Sequence, residues 1–347
     1  MASPSPSTSS GQTPSNTTLL ATNHSALAVP STLNHLSVVI CVVSSLLGLV
    51  GNGLVVWVTS CRMRQTVNTV WFLSLALADL LYALLLPFYA TKFTMNNQWI
   101  FGSELCKAVS SLLFLSMFAS VFQLTLISAD RCLLVSQPIW AQRLRTPGRA
   151  WGVAAGAWLL AGAFSAPYLA LRELKDRNGK YFCIVNFGAE TVRVRRQKAM
   201  IVVRFVAGFL VPLLVISACH VAVALRAGQK GRRPSRTAKV VTAVVVSFFV
   251  CWLPYHFFNF LHGWGGRHWK QALAVASSLA FSLTCLGCFL NPLLYTFLGR
   301  RFQEGLRGCG RIRWLEAALA EDSVGSSRRR KRSLGSTTSS EQRMMQP

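Results

Sequence analysis

The chain has 347 residues, of which 52% are hydrophobic and only 14% are charged, and its mean hydropathy is +0.40. A soluble globular domain carries about 25% charged residues, so this composition argues against a soluble protein. The 36 Lys and Arg residues outnumber the 11 Asp and Glu residues and give a net charge of +25, which favours anionic partners.

Seven apolar segments, each long enough to cross a membrane, account for most of the chain. A helix rises ~1.5 Å per residue and the hydrocarbon core of a bilayer is ~30 Å thick, so about 20 residues complete one crossing. The segments are 36–60, 68–90, 104–129, 150–170, 199–225, 237–264 and 270–298. We therefore predict an all-α membrane protein, a seven-transmembrane helix bundle with a short amphipathic helix after the last span.

The two ends of the chain differ from the helical domain predicted at 36–309. Residues 1–35 are rich in Ser, Thr, Pro and Asn, which predicts a disordered tail, and residues 310–347 are predicted to form a second one. Most Lys and Arg residues follow the first, third and fifth spans or lie in the C-terminal segment, so the N-terminus should be outside the cell. Asn16 and Asn23 then begin glycosylation sequons on the outer tail.

Two ionisable residues lie inside predicted spans, where a charge is costly and usually functional. Asp79 is in the second span; alternatively, it is a structural acid hydrogen-bonded to Asn52 and Asn291. Arg204 is in the fifth span, two helical turns before Pro212, and should face the bundle interior. The third, sixth and seventh spans have no acidic residue at that depth, so we expect a ligand to supply the anion. Alternatively, the side chain extends to the outer surface.

The cysteines indicate a single disulfide. Ten are present, but most lie inside spans, where they act as small apolar residues. Cys106 and Cys183 alone occupy outer, oxidising positions, so we expect them to pair and to tie the second outer loop to the third span.

Motifs typical of one receptor class occur in order along the chain. They are Asp130-Arg131-Cys132, Trp158, Pro212, Cys251-Trp252-Leu253-Pro254 and Asn291-Pro292-Leu293-Leu294-Tyr295. Together with the seven spans, they resemble the class A (rhodopsin-like) G-protein-coupled receptors over residues 36–305. The first motif, with Pro138-Ile139-Trp140-Ala141-Gln142, is similar to the chemoattractant branch. That branch includes the second prostaglandin D2 receptor and the chemerin, formyl-peptide and anaphylatoxin receptors.

The resemblance implies roles for particular residues. Arg131 would be the G-protein switch, held by Asp130 in the inactive state, and Tyr295 would belong to the same switch. The residues implied to bind the ligand are Arg204, Arg172, Tyr255, Phe114 and Trp252. Those implied to hold an allosteric sodium ion, with no other cofactor expected, are Asp79, Ser120 and Asn291.

The basic outer surface and Arg204 predict a ligand with a carboxylate on an apolar body. We expect a prostaglandin D2-like lipid mediator that acts at the plasma membrane through heterotrimeric G proteins of the inhibitory type. The alternatives are a short peptide chemoattractant, chemerin- or formyl-peptide-like, and a decoy receptor that binds without coupling. A receptor kinase and arrestin are expected at the Ser/Thr-rich C-terminal tail, whereas nucleic acid is not expected. An enzyme is disfavoured, because no nucleophile elbow, phosphate loop or metal-ligand spacing occurs.

Overall fold

The computed structural model describes residues 31–229, 236–264 and 270–298. The predicted glycosylation sites Asn16 and Asn23 lie outside the described residues, as do the predicted amphipathic helix after the last span and the C-terminal tail. The division of the chain into a helical domain and two disordered tails therefore stays a prediction.

Seven helices in the described residues are long and apolar enough to cross a membrane, so the predicted seven-helix bundle is confirmed. In chain order, the elements are α1 (Ser31–Cys61), α2 (Val67–Thr94), α3 (Gly102–Ser136), α4 (Pro138–Leu144), α5 (Pro147–Leu171), β1 (Arg172–Arg177), β2 (Lys180–Val185), α6 (Glu190–Phe205), α7 (Val211–Gln229), α8 (Arg236–Trp264) and α9 (Lys270–Leu298). Helix α1 begins at Ser31, five residues before the start of the first predicted span at residue 36.

Threonine side chains cap the N-terminal ends of two spanning helices, on the side of the bundle that the sequence predicts to be cytoplasmic. This side is called inner below, and the opposite side outer. Thr66 caps α2: its Oγ1 accepts a hydrogen bond from the Thr69 amide, and its own amide donates to Thr69 Oγ1 at 2.7 Å. Thr146 caps α5 by accepting from the Arg149 amide, and Pro147 follows at the first helical position. Both arrangements satisfy backbone groups that a helix end leaves unpaired.

The fifth span contains a wide π-helical turn. Residues Val206–Leu210 form this turn between α6 and α7. In it an amide bonds to the carbonyl five residues earlier, as the Val211 amide does to the Val206 carbonyl. Pro212, the second residue of α7, has no amide proton and its ring would crowd the carbonyl of Gly208 in a regular helix. The wider turn relieves this crowding, and such turns are frequent at functional sites. Arg204 lies in the last turn of α6, two residues before Val206.

A two-stranded hairpin forms the second outer loop. Strands β1 and β2 pair antiparallel, and the turn at Asn178 and Gly179 has φ angles of 55° and 75°, the geometry of a tight hairpin turn. Cys183 of β2 is disulfide-bonded to Cys106 of α3, which confirms the predicted pairing. The hairpin is thereby fixed to the outer end of the bundle.

Helix α3 is the central element and packs against α2, α5, α7 and α8. At the other side of the bundle, α1 approaches its neighbours closely at Gly48, where a Cβ atom would lie 2.9 Å from the Ala83 Cβ. Asn52, one turn later, donates to the carbonyls of Gly48 and Cys288 and so joins α1 to α9.

Candidate functional site

The outer site is built around the buried guanidinium of Arg204, which is 9% exposed at the end of α6. Its Nη1 donates to the Tyr168 and Tyr255 hydroxyls, both at 3.4 Å, and its Nη2 donates to Asn259 Oδ1 at 3.1 Å. These partners lie on α5 and α8, so the side chain faces the bundle interior, as predicted, and the alternative of extension to the outer surface is wrong.

Aromatic rings enclose the same guanidinium. The Arg204 Cζ lies 5.4 Å from the ring centroids of both Phe114 and Tyr255, within cation–π range. The Phe114 ring stacks on that of Tyr168 with centroids 3.6 Å apart. Among the described residues, the ion pairs do not include Arg204. A permanent charge is therefore buried against rings and neutral oxygens.

Sequence reasoning missed two of these partners, Tyr168 and Asn259. Neither is charged, and an isolated Tyr or Asn in a span gives no indication of which neighbour it faces. The Asn259 Nδ2 donates to the Tyr255 carbonyl at 2.7 Å, one helical turn earlier, and this bond turns the amide oxygen toward Arg204. The one-turn spacing of Tyr255 and Asn259 was the available signal.

Arg172, the second predicted anion anchor, is the first residue of β1. Its Nη1 donates to the Cys183 carbonyl at 3.3 Å, whereas its Nε is buried without a hydrogen-bond partner in the described part of the chain. Both Arg172 and Arg204 interact electrostatically with Tyr168. The two predicted anion anchors therefore both act electrostatically on one tyrosine, which only Arg204 is shown to contact directly.

Trp252 forms the floor of the outer site. It is 7% exposed and contacts the rings of Tyr255 above it, Phe248 beside it and Tyr82 of α2, with all three centroids 5.8 Å away. Tyr255 also binds Arg204, so a chain of direct contacts runs from the guanidinium to Trp252. The structure thus brings Arg204, Phe114, Tyr255 and Trp252 together.

Below Trp252, Asp79 lies against a small cavity of about 20 Å³. Ser120 Oγ donates to one carboxylate oxygen at 2.9 Å, and Asn291 Nδ2 donates to the other at 2.6 Å. The three residues predicted to hold sodium are therefore neighbours. The alternative partner Asn52 is wrong, because its amide donates to two backbone carbonyls instead.

The chemistry of this cavity fits a small hard cation. Such ions prefer oxygen ligands, and the cavity offers the Asp79 carboxylate, hydroxyls of Ser116 and Ser120 and the side chain of Asn291. The Asn291 Oδ1 is buried without a hydrogen-bond partner among the described residues. A volume above ~10–15 Å³ is sufficient for one water-sized occupant.

The inner end of α3 carries a polar network. Asp130 accepts from Arg145 through both oxygens, at 2.7 Å from Nε and 3.1 Å from Nη2. Asn68 Oδ1 of α2 accepts from Arg131 at 2.7 Å and from Arg145 at 2.8 Å. Arg145 is a partner that the motifs did not indicate, and the hold of Asp130 on Arg131 stays a prediction. Tyr295 lies on α9, but its side chain is outside the description.

Comparison with known proteins identifies the family. The family described as "7 transmembrane receptor (rhodopsin family)" matches residues 51–295. Prostaglandin D2 receptor 2 of Mus musculus is 41% identical over 318 residues, covering 88% of this chain and 83% of that receptor.

Two further relatives have similar coverage. The C3a anaphylatoxin chemotactic receptor of Oncorhynchus mykiss is 38% identical over 276 residues, covering 78% of this chain and 76% of that receptor. Chemerin-like receptor 1 of Homo sapiens is 36% identical over 278 residues, covering 74% and 73%. These relatives are receptors rather than enzymes. The chain therefore belongs to the rhodopsin family of seven-transmembrane receptors, as a multi-pass G-protein-coupled receptor of the chemoattractant branch.

Proposed function

We propose that this receptor acts at the plasma membrane, with its N-terminus outside, and binds a lipid mediator that carries a carboxylate. The observation behind this proposal is the buried guanidinium of Arg204, which has only neutral oxygens and aromatic rings as partners. Arg remains charged in proteins, so its burial is stabilised by an anion. An anion attached to an apolar group also keeps water away from the charge pair.

The chemistry of a prostaglandin D2-like ligand suits this environment. Its carboxylate would bind Arg204, with Arg172 as a second anchor, while its apolar chain would pack against Phe114, Tyr255 and Trp252. A bidentate carboxylate–guanidinium contact is stronger than the neutral hydrogen bonds it replaces. One relative is named for prostaglandin D2, which has these chemical features.

A peptide chemoattractant is the second candidate. Relatives are named for C3a and chemerin, and the C-terminal carboxylate of a peptide could bind the same guanidinium. The observation that favours it is the exposed basic tip of the hairpin, at Lys175, Arg177 and Lys180, which extends beyond the area that a small lipid needs.

The coupling proposal is a population shift toward a state that binds an inhibitory G protein. Ligand contact at Tyr255 and Trp252 would favour an arrangement of α8 bent at Pro254, and Arg131 would then engage the G protein. Sodium held by Asp79, Ser120 and Asn291 would supply a positive charge that stabilises the inactive arrangement. A receptor kinase and arrestin would act on the C-terminal tail.

A ligand screen tests the proposal. Cells that express the receptor are given prostaglandin D2, other carboxylate lipids, their methyl esters and short peptides, and inhibition of cyclic AMP is measured. We expect responses to free acids and none to the esters. Responses to peptides alone would favour the second candidate, and binding without G-protein nucleotide exchange would indicate a decoy.

A further inference from the structure

The structure shows an unusual pairing at the ligand site: the amide oxygen of Asn259 accepts from Arg204 where a carboxylate would be expected. The Nη2–Oδ1 distance is 3.1 Å, and the Asn259 Nδ2 is bound to the Tyr255 carbonyl at 2.7 Å. The Asn259 side chain has a donor NH2 group and an acceptor oxygen. Because the NH2 group is bound to the Tyr255 carbonyl, the oxygen must be the atom that faces Arg204. The oxygen is thus held toward the guanidinium.

We propose that Asn259 is an internal substitute for the ligand's acid group, so that a carboxylate ligand must displace its amide oxygen from Arg204. This inference rests on the proposed function, because it assigns a competitor to the same anion site. Asn259 is then a specificity-determining residue. It leaves Arg204 available to an acid from outside, since a neutral amide binds a guanidinium more weakly than a carboxylate does.

Displacement has a structural consequence because the pairing joins two helices. Arg204 lies in the last turn of α6, whereas Asn259 and Tyr255 lie one turn apart on α8. The neighbouring contacts also join these helices: a Cβ on Gly263 would lie 2.8 Å from Ile201, and Phe205 packs against Phe260. A ligand that captures Nη2 therefore removes a polar contact between α6 and α8 at the level of the binding site. Ligand binding therefore changes a contact of α8, the helix that carries Trp252.

Two substitutions have opposite expected effects. Asn259→Asp places a carboxylate beside Arg204 permanently, so binding of an external acid should weaken at least about tenfold. Asn259→Ala removes the competing acceptor, so binding of the acid should tighten, by up to about fivefold. A residue that merely supports the fold would weaken binding in both variants and would not distinguish acids from neutral ligands.

The experiment uses hexanoate and hexanol as probes with the purified full-length receptor in nanodiscs, and binding is read by ligand-observed NMR. Hexanoate binding should weaken in Asn259→Asp and tighten in Asn259→Ala, while hexanol binding should be the same in both. Arg204→Gln is the reference that removes the anion site, and Gln142→Ala, at an exposed position of α4, is the control.

The outcomes separate the inference from the proposed function. If Asn259→Ala loses hexanoate binding as Arg204→Gln does, Asn259 is a direct ligand contact and the inference is overturned. Equal hexanoate binding in wild type and in either Asn259 variant, or no hexanoate binding in wild type, also overturns it. If hexanoate behaves as expected but no carboxylate lipid gives a cellular response, the competition stands and the proposed ligand class fails.

Discussion

Arg204 concentrates the chemistry of the outer site in one side chain. Its guanidinium is surrounded by Phe114, Tyr168 and Tyr255, and the described residues supply it with no carboxylate. The position of this charge within a span could be predicted from the sequence, because Arg204 stands alone in an apolar segment. Its neutral partners could not, since their depth and direction depend on how four helices pack.

Replacement of Arg204 by Ala should weaken ligand binding about ten- to a hundredfold. A hydrogen bond to a charged group contributes about 1.5–3 kcal/mol, and this contribution is lost with the guanidinium. The measurement is the equilibrium dissociation constant of the ligand identified by the screen.

Two further variants interpret that result. Arg204→Lys keeps the charge but loses the fork of donors, so it should recover only part of the affinity. Arg193→Ala, on the exposed outer turns of the same helix, is the control and should bind normally. Unchanged affinity in Arg204→Ala would exclude the proposed anchor.

At the scale of elements, the spans were predictable and their irregularities were not. Long apolar runs report membrane crossing directly, so every predicted span corresponds to a helix. The sequence of the β1–β2 hairpin does not alternate between apolar and charged residues, so it did not predict strands. The π-helical turn at Val206–Leu210 was also missed, because a proline indicates a local disturbance of a helix without specifying its form.

Removal of the disulfide should loosen the hairpin. In the double variant Cys106→Ala and Cys183→Ala, the free energy of unfolding should fall by about 2–5 kcal/mol, because a long chain segment is no longer closed. Amide hydrogen exchange in β1 and β2 should accelerate, and ligand binding should weaken because Arg172 is on β1. Cys61→Ala, which changes an exposed free thiol, is the control. Unaltered exchange in the strands would show that other contacts fix the hairpin.

The whole molecule places three polar sites at successive depths along α3. Phe114 lines the outer site, Ser120 binds Asp79 in the middle, and Asp130 anchors the inner network. From Phe114 to Asp130 the helix rises roughly 24 Å at ~1.5 Å per residue. The order of these sites could be predicted from the motifs. The link from Asp130 to Arg145 could not, because the loop that carries Arg145 returns to α3 only in the folded chain.

Sodium should stabilise the whole bundle through the middle site. A ligand at ten times its dissociation constant adds about 1.4 kcal/mol to the free energy of unfolding, so the melting temperature should rise by a few degrees in NaCl relative to choline chloride at equal ionic strength. Asp79→Asn should abolish this rise, whereas Asp176→Asn at the exposed hairpin should preserve it. The same rise in Asp79→Asn would place the sodium effect elsewhere.

The π-helical turn affects how this helix is aligned with those of related receptors. At 100° per residue, a uniform helix would separate Arg204 and Ile216 by about 120° around the axis, yet both side chains are buried. One surplus residue in the turn removes about 100° of that angle and brings both onto one face. In a relative without the surplus residue, the residue that faces the pocket would be shifted by one position in an ungapped alignment. Comparison of this helix between such receptors therefore requires a one-residue gap between 206 and 210.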